Sequence, residues 1–186
     1  MPETRPPPDL DHASFDEIAA MLEEGTAPPV ERWDPPSCGD SEMRIAADGK
    51  WYHQGGLITR PAMVRLFASV LRREPDDSYV LVTPVEKLAI EVERLPFLAV
   101  RMKSEGEGRA RRLAFTLNSG EVVIAGPDHP IRVVDTDAGP SPRVHVRGRL
   151  EAEIARPLYY ELADIALEEE ADPPAIWSNG EKFTLS

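Results

Sequence analysis

The spacing of apolar and polar positions changes period along this chain. From Leu88 to Glu93, Leu88, Ile90 and Val92 alternate with Ala89, Glu91 and Glu93, the period of a strand with one buried face. Apolar-rich runs follow at 97–103, 111–117, 121–125, 131–134 and 144–149. They are separated by turn-forming stretches at 104–108, Asn118-Ser119-Gly120, Gly126-Pro127 and 137–142. This rhythm predicts a bent antiparallel sheet or partial barrel in the C-terminal half. Earlier, 43–47 and 50–53 flank Asp48-Gly49, a two-residue hairpin signal, and 79–83 and 175–178 read as further strands.

A helical period occurs twice. ITRPAMVRLFASVL at 58–71 and IARPLYYELADIAL at 154–167 share Ile, Arg-Pro and two Leu at equal places, with Ile58 and Ile154 96 residues apart. Proline has no amide hydrogen to lose and a preset φ, so Pro61 and Pro157 suit the first helical position, each with an arginine, Arg60 or Arg156, just before it. Met63, Leu66, Phe67, Val70 and Leu71 then fall on one predicted buried face, matched by Tyr159, Leu162, Ala163, Ala166 and Leu167. Each copy leads into a strand, so the pattern predicts a mixed α+β protein of two related sub-domains from an internal duplication. The first repeat runs over 41–97 and a larger second over 98–186. The overlay also sets Arg65, Arg72 and Arg73 opposite Glu161, Glu168 and Glu169. That reversal fits either two differently solvated helix faces or two halves that meet through these rows.

An arm over 1–40 precedes the repeats. Its first ten residues are Pro-rich and predicted to be disordered; Ser14-Phe15-Asp16-Glu17 is a capping-box pattern that predicts a short helix through Ile18, Met21 and Leu22. The run APPVERWDPPSCG at 27–39 is too rich in proline for a helix and predicts an extended segment pinned by Trp33.

A chain of 186 residues lies between one ordinary domain and two small ones. Its 21 Lys+Arg against 33 Asp+Glu give a net charge of −12, which repels a phosphate backbone and argues against polymeric nucleic acid as partner. A small anion held by a local Arg or Lys cluster remains compatible with it. Cys38 is the only cysteine and the four histidines show no ligand spacing, so neither a metal nor a cofactor is expected. With no stretch of roughly 18 apolar residues and no leader pattern, the chain reads as soluble and cytoplasmic.

Three places could carry chemistry. Thr83-Pro84-Val85-Glu86-Lys87 sets a hydroxyl, a carboxylate and an ammonium on one strand connection, either as a polar pocket wall or as a turn with its own pairings. Arg60 and Arg156 sit where helix N-termini already favour anions, or they clamp a local acceptor. Trp51-Tyr52-His53 alternates on a strand, so that Trp51 and His53 share a face that could stack a base or could belong to the core.

The run Trp51-Tyr52-His53, Gly55, Ile58, Arg60, Leu66-Phe67, Leu71, Tyr79, Leu81 through Lys87, Val92-Glu93 and Pro96-Phe97 resembles the bacterial "domain of unknown function 1285" family. Trp33 and Pro35 before it, and Ala155-Arg156-Pro157, Tyr160, Leu162, Trp177-Ser178 and Gly180 after it, extend the resemblance. It implies a duplicated α+β core, a C-terminal half similar to pleckstrin-homology-like folds, and a pocket between the halves. A nucleotide-like ligand and a part in signal transduction are further implications. The expected function is therefore non-enzymatic binding of a small anion at the junction by Tyr52, His53, Arg60, Thr83, Glu86, Lys87, Arg156 and Tyr160. Two alternatives stand beside it. One is an enzyme acting on a small phosphorylated or carboxylated molecule with Glu86 or His53 as acid/base and Lys87 or Arg60 on the anion. The other is a protein-interaction module that uses the C-terminal half, or the acidic stretch near Glu168-Glu169-Glu170, against a basic partner.

Overall fold

The structure is a computed structural model and describes residues 28–186. The capping-box segment at Ser14–Glu17 lies outside the described residues. Two six-stranded sheets follow one another. The first holds β1 (Ser37–Ile45), β2 (Trp51–His53), β3 (Gly56–Leu57), β4 (Leu71–Arg73), β5 (Tyr79–Val82) and β6 (Lys87–Val92), in the order β3-β2-β1-β6-β5-β4. The second holds β7 (Phe97–Glu105), β8 (Arg112–Leu117), β9 (Val122–Ile124), β10 (Ile131–Thr136), β11 (Gly139–Arg147) and β12 (Leu150–Ile154), in the order β10-β11-β12-β7-β8-β9. Helix α1 (Pro61–Ser69) lies between β3 and β4; helix α2 (Arg156–Glu168) follows β12 and leads to a hairpin of β13 (Ala175–Ser178) and β14 (Glu181–Thr184). The fold is mixed α+β, built of two sheet-rich halves.

In each sheet two antiparallel meanders are joined by one parallel pair, β1 with β6 and β7 with β12. Counted from its own first strand, the second sheet has the same strand order as the first. The helices do not share that equivalence, since α1 follows the third strand of its half and α2 the sixth. The repeated opening at Arg60-Pro61 and Arg156-Pro157 is thus a shared way of starting a helix. Arg60 is extended at the N-cap (φ −83°, ψ 112°) and Arg156 is the first helical residue after an extended Ala155.

Several sequence expectations change. The predicted face of α1 fails at Met63 and Leu66, which are 39% and 62% exposed, while Val64 and Phe67 pack on the core and Ala68 is fully buried. The helix is only nine residues long because Ser69 Oγ donates to the Leu66 carbonyl (2.6 Å) and Leu71 leaves to pair with Leu81 in the sheet. In α2 the buried stripe is Leu158, Leu162 and Ala166, with Leu167 exposed. The turn expected at 137–142 is shorter, and β11 begins at Gly139 and runs through Pro140 and Pro142. Both prolines lie where β11 pairs only with β10, since β12 joins it from Arg143 onward, so no ladder on that side needs their missing amides.

One apolar core runs through both halves, including Trp51, Leu71 and Ile90 with Phe97, Phe115, Leu150 and Leu162. Polar ties cross the junction beside it. Arg147 Nη2 donates to the Ala68 carbonyl at the end of α1 while its Nη1 pairs with Glu121 at 2.9 Å. Arg149 donates to the Glu74 carbonyl (2.7 Å), and Arg94 pairs with Glu153 (2.8 Å). The arginine row at 65, 72 and 73 does not face the glutamate row. Arg72 donates to the carbonyls of Val30 and Trp33 and pairs with Glu74, Arg73 pairs with Asp77, and Glu169 is held by Arg111. Local acceptors satisfied Arg72 and Arg73 first. Trp33 does anchor its segment, packing on Val30, Val80 and Val82.

Candidate functional site

Two clefts open where the halves meet. The larger, of about 490 Å³, lies between the Asp48–Ile58 stretch and the start of α1 on one side, and β7 with the β8–β9 turn on the other. Asp48-Gly49 forms the predicted tight turn after β1, with Gly49 at φ +84°, and a side chain cannot replace its hydrogen without cost because Asn118 packs against it. Asn118 donates to the Gly49 carbonyl (2.8 Å) and accepts from the Leu98 amide (3.0 Å), so one amide side chain seals the floor of the cleft from both halves.

Trp51 in the wall is 2% exposed, its ring stacked on Phe67 at 6.5 Å. Its Nε1, the Nε of Arg65 and the Oγ1 of Thr116 are all buried without a hydrogen-bond partner, and all three residues line this cleft. Orphaned buried polar atoms are uncommon in folded proteins, and water or a ligand is the usual remedy. The charge balance is also local. Lys50 is matched by Asp48 at 3.7 Å, whereas Arg65 and Arg101 have no ion-pair partner among the described residues. In a chain of net charge −12, that leaves two uncompensated guanidinium groups on one concave surface.

The smaller cleft, of about 320 Å³, is bounded by Ala47, Arg94, Pro140, Glu153, Arg156 and Tyr159, at the start of α2. Most of its charges already have partners. Arg94 is held by Glu153, and in the adjoining hollow Arg143 lies 3.7 Å from Glu151. Burial raises the Glu151 carboxyl, but the hydrogen bonds from Arg132 and the charges of Arg132, Arg143 and Arg73 together hold the group below the usual carboxylate range. Tyr159 donates its hydroxyl to the Leu185 carbonyl (2.8 Å).

The eight residues singled out from the sequence do not converge. Arg156 lines the smaller cleft. Tyr52, on β2, lies under the Arg44 guanidinium (4.5 Å), His53 is exposed at the strand end, and exposed Arg60 stands between Thr59 and Pro61, which line the larger cleft. Thr83, Glu86 and Lys87 sit together elsewhere. Thr83 Oγ1 accepts from the Glu86 amide (3.1 Å), the Thr83 amide donates to the Glu86 carbonyl (2.9 Å), and Lys87 pairs with Glu74 (3.3 Å). Burial of Glu74 acts to raise its pKa, yet Arg72 and Lys87 together leave it lowered, so the anion beside Lys87 is a carboxylate of the protein itself. Tyr160 is 60% exposed on α2. Arg65, Arg101 and Thr116 were missed. No local motif joins 51, 65, 101 and 116, and only the meeting of the two halves brings them to one wall.

Among the described residues no group of three or more His, Cys, Asp and Glu is placed to hold a metal ion, and no helix is long and apolar enough to cross a membrane.

Comparison with known proteins agrees with this two-part architecture. No curated protein matches the chain. A solved DUF1285 family protein from Silicibacter pomeroyi is 41% identical over 92% of this chain and 93% of its own, with a TM-score of 0.76. Another, from Shewanella baltica, is 28% identical over 66% of this chain and 90% of its own, with a TM-score of 0.52. The family models described as the N-terminal domain of a domain of unknown function (DUF1285) and the C-terminal domain of a protein of unknown function (DUF1285) match residues 28–95 and 96–185, and the chain belongs to the DUF1285 family.

Proposed function

We propose that this protein is a non-enzymatic binder of a small anionic ligand, with the larger junction cleft as its site and a regulatory or signal-transduction role. The observation that carries this reading is the coincidence of Arg65 and Arg101, unpaired among the described residues, with the orphaned Trp51 Nε1 and Thr116 Oγ1 on the wall of one cavity. Among the lining residues Asp48 is the one carboxylate and there is no histidine or cysteine, which favours binding over acid–base or nucleophilic chemistry. Ligand occupancy at the junction would fix the relative position of two halves, the property a regulatory protein needs. A nucleotide-like ligand is the form that the family resemblance suggests. The common strand order of the two sheets supports an origin by duplication, aligning β1 with β7. A helix after the sixth strand supports the pleckstrin-homology-like reading of the second half.

The test is a thermal-shift screen of the full chain against nucleotides, phosphorylated metabolites, dicarboxylates and monocarboxylates, repeated on Arg65→Ala and Leu57→Arg. A ligand at 100 times its Kd adds about 2.7 kcal/mol, which is about 5–10 °C for a chain of this size. Stabilisation that both variants abolish supports the reading. A flat response from every class refutes it and moves the search to protein partners, for which exposed Leu57, Met63 and Leu66 beside the cleft are the surface to examine.

A further inference from the structure

The larger cleft differs from its neighbour in what lies between the charges. Leu57 and Val100, 49% and 43% exposed, face solvent at the cleft, and Ile58, Val64 and Leu117 continue the apolar lining. Exposed aliphatic side chains in a concave surface gain by being covered, at about 25 cal/mol per Å² of apolar area removed from water. A purely ionic ligand would leave that gain unrealised and would strip water from the walls for nothing. Conversely, a wholly apolar ligand would leave the Arg65 and Arg101 guanidinium groups without a counter-charge.

The base of a nucleotide is poorly served here. Trp51 is the one aromatic residue in the lining, and its ring is buried against Phe67, with no face open to stack a base. Three nitrogen-bearing cations, Lys50, Arg65 and Arg101, face one carboxylate, Asp48. Two positive charges therefore stand over aliphatic walls. Planar guanidinium groups recognise a carboxylate through paired N–H donors.

We infer that the ligand of this cleft is an amphipathic monocarboxylate, its head on Arg65 and Arg101 and its aliphatic body against Leu57, Val64 and Val100. This rests on the reading of the cleft as a binding site and specifies its ligand class. The head matches the guanidinium charges that the described residues leave uncompensated, while the tail covers the exposed aliphatic wall. Neither interaction needs a conserved motif in the sequence, because each half contributes only part of both.

Isothermal titration of the full chain with octanoate, 1-octanol and adenosine monophosphate separates the outcomes. Arg65→Ala and Val100→Asp alter the cleft, and Arg156→Ala serves as a charge-matched control outside it; circular dichroism and melting temperature verify that each folds. Expected is saturable one-to-one binding of octanoate, at least tenfold tighter than octanol. Both cleft variants should weaken it by tenfold or more, and Arg156→Ala should leave it unchanged. Equal affinity for octanoate and octanol, or octanoate binding indifferent to the cleft variants, overturns the proposal. Binding of the nucleotide alone, lost in Arg65→Ala, also overturns it but leaves the junction as a binding site. Silence from all three probes overturns it, and silence across the broader anion screen removes the binding reading as well.

Discussion

Replacing Arg147 with alanine probes the junction most directly. Its Nη1 lies 3.0 and 2.9 Å from the two carboxylate oxygens of Glu121, its Nη2 donates to the Ala68 carbonyl of the other half, and its guanidinium carbon lies 5.6 Å from the Phe97 ring centroid. The Ala68 carbonyl belongs to the last turn of α1, where carbonyls lack helical partners and a cation is favoured. Truncation would strand Glu121 and that carbonyl together. Hydrogen bonds to charged groups contribute about 1.5–3 kcal/mol, and breaking a buried pair costs about 3–5 kcal/mol. Glu121 is partly open to water, its side chain 32% exposed, so the lower end applies and about 2–3 kcal/mol is expected. At about 2–4 °C per kcal/mol this lowers Tm by about 5–10 °C. The defect should also depend on pH. Burial raises the Glu121 carboxyl above its ordinary value even with Arg147 present, and removing the guanidinium lets it rise further. A raised folded-state pKa means that the folded protein binds more protons than the unfolded chain, so this penalty is present above the folded pKa and fades as pH falls toward the unfolded value. Scanning calorimetry of parent and Arg147→Ala at pH 8 and pH 5 should give the larger gap at pH 8. A gap below about 2 °C at pH 8, or one that widens on acidification, would refute the reasoning.

Other substitutions test separate parts of the account. Gly49→Ala should cost about 1–3 kcal/mol in urea denaturation, because a Cβ would meet Asn118 Nδ2 at 2.5 Å and φ is +84°. Arg72→Ala should destabilise by about 3 kcal/mol, since the side chain is 7% exposed and serves two carbonyls and Glu74, whereas Lys87→Ala should cost under about 1 kcal/mol because Arg72 still holds Glu74. Burial lowers the pKa of His129, so its contribution is present above the unfolded value and is lost as pH falls through the mildly acidic range. Tm should therefore drop between pH 7 and pH 5, and His129→Asn should flatten that part of the profile.

What the sequence discloses depends on the range over which each feature is decided. The hairpin at Asp48-Gly49 and the alternation at Leu88–Val92 rest on neighbours a few residues apart, and both appear as read. The length of α1 was not legible, because Val70 and Leu71 continue a helical stripe and only the pairing of Leu71 with Leu81 ends the helix at Ser69 and draws Leu71 into a strand. The strand at Leu150–Ile154 was hidden by its charged residues, yet Glu151 is buried on Arg132 and Arg143. Candidate polar residues were chosen for their types, and types do not say what is already paired: Lys87 met Glu74, and Thr83 closed its own turn. Arg65 and Arg101 are left without ion-pair partners among the described residues, a property that no stretch of sequence records.

The parallel pairs at the centre of both sheets set an order on the ribosome. Ser37 waits for Lys87 before β1 gains its second neighbour, and Phe97 waits for Ala152 in the same way. Such distant closures are slow compared with hairpins. All six strands of the first sheet, and α1 with them, precede Phe97 in the chain, so they are made before the second sheet begins. At that moment the carbonyls of Gly49, Ala68 and Glu74 are still waiting for Asn118, Arg147 and Arg149. The newborn first half thus carries a template of three acceptors and an uncovered Trp51 wall, on which the second half is received as it leaves the tunnel.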